Sequence, residues 1–270
     1  MTKLIDPSNF TKVTRKLRSF FNNREFEEVH TQNRLSILAA CEDPENVAVF
    51  NYENNIWPLP QTGQMWLEHE LLSRPEAKGF YCLSTSYRQE PNAIAGRHDT
   101  IFPMFEFEMH GTIEDLKKME YELVDYLGFT DRPEERTYKE WQKEYYLKPH
   151  EELKADHELV MGNRYGTCMI TNFPEFTSPF WNMSRNKDGT SRKIDVILGG
   201  METIGSAERS TDTDQMRDTF HTISNGEYAG LMYKLFGKNR VEDELEKFLE
   251  FDFFHRVGGG IGITRLISAY

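Results

Sequence analysis

Apolar positions set the frame of this chain. Phe10, Val13, Leu17 and Phe20-Phe21 recur three to four residues apart, which predicts an amphipathic helix with Ser8 as its N-cap. Phe26 to Val29 reads as a short strand. Arg34 to Asn54 has no usable pattern, and Met65, Leu67, Leu71 and Leu72 then predict a helix over Gly63 to Leu72. Gly79 to Arg88, rich in Tyr, Thr and Cys, reads as a strand, and Phe102 to Glu108 alternates as a second one. The turn-rich run Pro91 to Gly96 between them makes the pair an antiparallel hairpin with a long loop.

Leu116, Met119, Leu123, Val124 and Leu127 form the core stripe of a further helix. Thr112 and Asp115 are its capping box and Gly128 its stop. Residues 131–159 are strongly charged and are expected to be a solvated helical insertion, with Glu140, Trp141 and Tyr145-Tyr146 as its signals. Thr167 to Thr171 and Lys193 to Leu198 read as strands, and Gln215 to Leu249 as helices with Tyr228, Leu231, Leu235, Leu245 and Phe248 inward. Antiparallel strands with helices around them predict an α+β fold in a single domain over 1–270.

Composition narrows the function. A hydrophobic content of 38% suffices for a substantial core in 270 residues. Lys plus Arg number 32 against 44 Asp plus Glu, a formal charge of −12. Such a chain gains little from non-specific attraction to phosphate backbones, which disfavours nucleic acid as its main partner. Cys41, Cys82 and Cys168 are scattered without metal spacing and suit thiols of a reducing cytoplasm. No apolar run of membrane length and no signal-peptide pattern is present.

The chemistry concentrates in Ser86 to Glu108. That hairpin gathers Arg88, Glu90, Arg97, His98, Phe102, Glu106 and Glu108. Arginine forks grip phosphate or carboxylate, and a phenylalanine can stack on a base. Together they read as a nucleoside triphosphate site; the alternative is a surface hairpin with ordinary ion pairs.

Three stretches carry a family resemblance. Arg88-Gln89-Glu90 resembles motif 2 of class II aminoacyl-tRNA synthetases. Gly258 to Leu266, a glycine run ending in Arg265 at a helix start, resembles motif 3. Between them Asp195, Glu202 and Arg209, spaced by seven, are similar to the aspartyl/asparaginyl branch. Thr62 to Glu68 and Phe173-Pro174 with Phe180-Trp181 also fit that branch. The N-terminal helix and the strand ending in His30-Thr31 resemble motif 1, which implies a homodimer.

The resemblance implies an AMP-forming ligase. It places Arg88 between the α-phosphate and the substrate carboxylate, with Arg265 as the second catalytic cation. Glu90 accepts the adenine amino group, Phe102 and Arg265 sandwich the ring, and Arg97, His98 and Glu202 complete the ATP site. Asp195 and Glu202 imply Mg²⁺ between carboxylates and phosphates. The implied amino-acid pocket is Thr62, Gln64, Leu67, Arg88, Glu106 and Arg209. Leu67 stands where aspartyl enzymes carry lysine, and Glu106 matches the asparaginyl glutamate, so the expected substrate is asparagine or a close analogue.

Few residues precede the first helix, and the chain stops five residues after Arg265, so no anticodon-binding module is expected. The leading expectation is a cytoplasmic, adenylate-forming enzyme with ATP as substrate and a non-tRNA acceptor. The alternatives are an ammonia-using asparagine synthetase, a minimal tRNA ligase and a non-catalytic binding paralogue.

Overall fold

The computed structural model describes residues 4–31, 35–40, 46–89 and 99–270. Within them an eight-stranded sheet organises the molecule. Its strands are β1 (Glu27–Glu28), β4 (Gly79–Tyr87), β5 (Ile101–His110), β6 (Glu134–Thr137), β7 (Cys168–Phe173), β8 (Ser191–Leu198), β9 (Met201–Glu208) and β10 (Arg256–Gly262). A separate small hairpin pairs β2 (Val49–Tyr52) with β3 (Asn55–Pro58). The large sheet runs β1-β4-β5-β10-β9-β8-β7-β6. Its six inner strands are antiparallel, as expected, but both edges pair parallel: β1 with β4 and β6 with β7. The α+β expectation holds and the purely antiparallel sheet is corrected to a mixed one. The physical reason lies in the connections: each edge strand reaches its neighbour through a helical crossover, which delivers a parallel strand.

One face of the sheet is the core. Along β5, Phe105 and Phe107 face it, as do Ile194 and Val196 of β8, and the period of two sends their neighbours to the other face. Helices α1 (Pro7–Asn22), α3 (Ile113–Leu127) and α9 (Ile263–Ala269) cover that apolar face with Val13, Leu17, Leu116, Leu123 and Leu266. Asp6, not Ser8, caps α1, accepting from the Asn9 amide at 2.8 Å with Pro7 in the first turn. The Thr112–Asp115 box and the left-handed Gly128 frame α3 as the pattern predicts.

A second cluster forms around Trp181, between α2 (Gln64–Ser73) and the bundle α6 (Thr213–Thr222), α7 (Glu227–Phe236) and α8 (Lys238–Leu249). Residues 131–159 depart from the solvated insertion expected of them. They supply β6 at the sheet edge, then α4 (Tyr138–Glu144), whose Trp141 is fully buried; α5 (Ala155–Tyr165) begins within them. Burying Trp141 and Tyr138 against Ile170 and Ile197 ties this stretch to the sheet. Among the described residues no helix is long and apolar enough to cross a membrane.

Candidate active site

The face of the sheet opposite the core carries the polar residues. Register sets Asp195, Gly205, Gly260 and Glu106 in one row across β8, β9, β10 and β5. Lys193, Ala207, Gly258 and Glu108 form the next row. The floor is therefore small residues, with carboxylates at one end and an ammonium-carboxylate pair at the other. Glycine is required at 258: a Cβ there would stand 1.7 Å from Glu108 Oε2 and 2.5 Å from the Phe107 carbonyl. The glycine run thus clears space over the sheet rather than loosening the chain.

Two adjoining cavities lie on this floor. The first, ≈ 230 Å³, is walled by Arg88, Phe102 and Met104 from the hairpin and by Gly260, Gly262, Thr264 and Arg265 from the β10–α9 junction. The second, ≈ 220 Å³, is walled by Thr177 to Phe180, Met183 and Arg209. Gln64, Arg88, Lys193, Glu202 and Gly205 line both. These five mark the seam where the two cavities meet. The Arg88 guanidinium lies 5.6 Å from the Phe102 ring centre, so cation and aromatic share one wall. Arg265 donates to the Glu202 carbonyl at 2.7 Å, which holds its guanidinium in the wall of the first cavity beside Glu202.

Glu106 is fully buried and locks the neighbouring turn. Its carboxylate accepts from the Thr62 and Ser84 hydroxyls and from the Gly63 amide at 2.8 Å. That grip sets Thr62 and Gln64 at the cavity mouth, at the start of α2. Cys82 lies beside this carboxylate, and burial together with Glu106 pushes its thiol well up, so it is an inert neighbour rather than a nucleophile.

Arg209 is held from behind. It pairs with Glu108 at 3.3 Å and Glu68 at 3.5 Å, and Arg256 donates to Glu68 at 2.7 and 2.9 Å. All four side chains are buried. Burial raises the Glu108 carboxyl to about 7, with Arg209 opposing the shift. Removing one partner from such a network leaves a charge stranded in low dielectric.

At the seam, Asp195 Oδ2 accepts from Lys193 Nζ at 3.0 Å. Asp195 Oδ1 is buried without a hydrogen-bond partner. It lies 3.6 Å, and Glu202 Oε1 3.0 Å, from the point where a Cβ on Gly205 would stand. Two carboxylate oxygens thus converge on one spot. They fit a divalent ion whose other ligands come from phosphate and water; among the described residues no group of three acidic, histidine or cysteine side chains offers more.

Of the site residues expected from sequence, the structure brings together Thr62, Gln64, Arg88, Phe102, Glu106, Glu202, Arg209 and Arg265, with Asp195 beneath the seam. Leu67 is corrected: it is fully buried against Leu71, Phe80 and Cys82 and lines neither cavity. Leu67 lies one turn beyond Gln64 on the same side of α2, where Leu71, Phe80 and Cys82 cover it and close it off from the cavity. Glu90, Arg97 and His98, and Cys41, lie outside the described residues. Lys193 was missed; its position two residues before Asp195, on the same strand face, was the available signal.

The open face of the mixed sheet thus carries two adjoining cavities lined largely by charged and polar side chains and glycines. The chain belongs to the class II tRNA synthetases (D, K and N), whose family model matches residues 8–269. No curated protein matches the chain. Among solved structures it is similar to asparaginyl-tRNA synthetase from Pyrococcus horikoshii complexed with asparaginyl-adenylate, with a TM-score of 0.78 and 19% identity over 97% of this chain and 64% of that one. It is also similar to a putative aspartyl-tRNA synthetase from Leishmania major Friedlin, with a TM-score of 0.78 and 15% identity over 97% and 61%. The asparaginyl-tRNA synthetase of Entamoeba histolytica in complex with asparaginyl-adenylate gives 0.72 and 16% over 97% and 62%. The chain thus spans less than two thirds of the length of these relatives.

Proposed function

We propose that the chain activates an amino-acid carboxylate with ATP, forming an aminoacyl-adenylate and pyrophosphate. One observation carries this reading: the two cavities meet at a seam lined by Arg88 and Lys193, with Arg265 in the wall of the first. No general base is needed, because the attacking carboxylate is already an anion. The task is to hold two anions together and offset the charge that develops on the α-phosphate. Arg88 at the seam does this; Phe102 and Arg265 hold adenine, and Glu90, Arg97 and His98 complete the nucleotide half. A divalent ion bound with the triphosphate would neutralise phosphate oxygens beside Glu202.

The amino acid lies over Gly205 and Gly260, bounded by Gln64, Thr62 and Arg209. We read its side chain as an amide. Arg209 is matched by Glu108 and Glu68, Arg256 by Glu68, and Lys193 by Asp195. A second carboxylate on the substrate would add an anion to a pocket whose cations Arg209 and Lys193 each have a counter-ion, next to Glu106. The asparaginyl-adenylate named for the Pyrococcus horikoshii and Entamoeba histolytica structures supports the same reading. The net charge of −12 supports an acceptor other than tRNA. The helix α1 and strand β1 are read as a homodimer interface.

An ammonia-using asparagine synthetase is the second reading. Lys193 favours it, since it brings an ammonium to the amino-acid half. Its 3.0 Å pairing with Asp195 weighs against it. Formation of the adenylate from ATP in wild type, lost in Arg88→Ala and Arg265→Ala, tests the proposal. Wild-type rates in either variant would remove the assigned site.

A further inference from the structure

Lys193 lines the seam, but the reaction as proposed gives its ammonium no ligand of its own. It is not a loose surface lysine. Its ammonium is 3.0 Å from Asp195 Oδ2 and 4.3 Å from the centre of the Phe173 ring, so a carboxylate and an aromatic face fix it. It stands two residues before Asp195 on β8, and the even spacing puts both side chains on the site face. Across the strand pair, Asp195 is opposite Gly205, over which Glu202 Oε1 and the unpartnered Asp195 Oδ1 converge. Glu202 in turn has Arg265 Nη1 3.8 Å from its other oxygen. Two carboxylates therefore face one spot with a fixed cation on the outer side of each.

Such a pair alone would recruit a divalent ion. Hard cations bind carboxylate oxygens, and a buried oxygen without a hydrogen bond is a ready ligand. Here the ion would sit beside a fixed ammonium that shares Asp195 with it, and like charges in a poorly solvated cleft repel strongly. Among the described residues only two carboxylates converge there, while such an ion takes roughly six oxygens. A triphosphate changes both conditions at once. Its oxygens fill the open coordination positions, and its negative charge offsets the ammonium and the guanidinium.

We propose that Lys193 is the resident counter-ion of the Asp195–Glu202 pair and makes metal entry depend on the nucleotide. Without nucleotide, Lys193 blocks a divalent ion from the pair. With nucleotide, the ion arrives on the phosphates and meets Glu202 and Asp195 Oδ1. Lys193 is thus a positioning residue: it orders binding and keeps Asp195 in place. The inference rests on the nucleotide reading above, but its first test needs neither ATP nor turnover.

Mn²⁺ binding to the full chain, followed by the electron paramagnetic resonance signal of the free ion, is the experiment. The proteins are wild type, Lys193→Met, Lys193→Gln and Lys193→Met/Asp195→Asn, each checked for native far-UV circular dichroism. Without nucleotide, both single variants bind Mn²⁺ at least about tenfold more tightly than wild type, because the repelling charge is gone. The double variant loses that gain. Adding a non-hydrolysable ATP analogue raises wild-type Mn²⁺ binding far more than it raises that of Lys193→Met. Equal Mn²⁺ affinity in wild type and both single variants overturns the inference, as does a gain that survives in the double variant. Lys193→Gln retains volume and polarity, so it carries the test if the methionine variant does not fold. If wild type forms no adenylate with any amino acid, the proposed function fails while the Mn²⁺ result stands by itself.

Discussion

Glu120 offers a test of the electrostatics behind the site. It lies on α3 with its side chain fully buried, and neither carboxylate oxygen has a hydrogen-bond partner. Burial, reinforced by the charge of Asp195, pushes its carboxyl from 4.5 up to about 8. Ser206 is the one side chain that opposes the shift, and its hydroxyl already donates to the Ile194 carbonyl at 3.2 Å. A folded-state value above the unfolded one means that the folded protein holds the proton more tightly. The stability this group contributes is therefore full below the unfolded value of 4.5 and is lost as pH rises through 8.

Glu120→Gln keeps the shape and cannot ionise. At 1.36 kcal/mol per unit, the complete shift corresponds to roughly 5 kcal/mol, of which about 3 kcal/mol falls between about pH 6 and about pH 9. In a chain of this size that is roughly 5–10 °C in the unfolding midpoint. Urea unfolding of wild type and variant, followed by circular dichroism across that range, is the assay. The variant gains on wild type by about 3 kcal/mol as pH rises. A difference that does not change with pH refutes the reasoning, because Glu120 would then ionise alike in folded and unfolded chains.

Other outcomes follow from single contacts. Gly258→Ala disrupts the site floor and destabilises the fold, since its Cβ would meet Glu108 Oε2 at 1.7 Å; a thermal midpoint equal to wild type would contradict the register described. Leu67→Lys buries an ammonium among Leu71, Phe80 and Cys82, so it lowers stability by several kcal/mol rather than switching the substrate; soluble, stable protein with a new aspartate preference would return Leu67 to the pocket. Arg256→Met takes away the nearest cation of Glu68, leaving it Arg209 at 3.5 Å and the Asn182 amide, and costs roughly 3 kcal/mol, and Glu68→Gln in the same chain recovers part of it; additive losses in urea unfolding would deny the coupling.

Much of this architecture was legible in local sequence. The hairpin around Arg88 forms with Ser86 opposite Phe102, as the alternation over Phe102 to Glu108 required. The capping box at Thr112, the stop at Gly128 and the glycine run before Arg265 are likewise short-range signals. What was not legible depends on contacts between distant segments. Glu68 and Arg256 meet across 188 residues, and each alone resembles a surface charge. Glu120 falls beside a helix's apolar stripe, where one more acidic residue reads as solvated. Lys193 gains meaning only from the pairing of β8 with β9, which sets Asp195 against Gly205 and brings Glu202 over it. Leu67 misled because matching a family position does not say which distant side chains pack over it, here Phe80 and Cys82. The edge strands β1 and β6 are two and four residues long, too short for a period to show their direction.

The central claim is activation of an amino acid by ATP, with an amide side chain preferred. ATP–pyrophosphate exchange, measured with each amino acid in turn and with ammonia present or absent, tests it most directly. The account predicts asparagine-dependent exchange, with aspartate slower by up to roughly 10⁴-fold, because the wrong side chain leaves buried polar groups unpaired. Exchange that follows aspartate, with asparagine released when ammonia is added, would contradict the substrate assignment; no exchange with any amino acid would contradict activation itself.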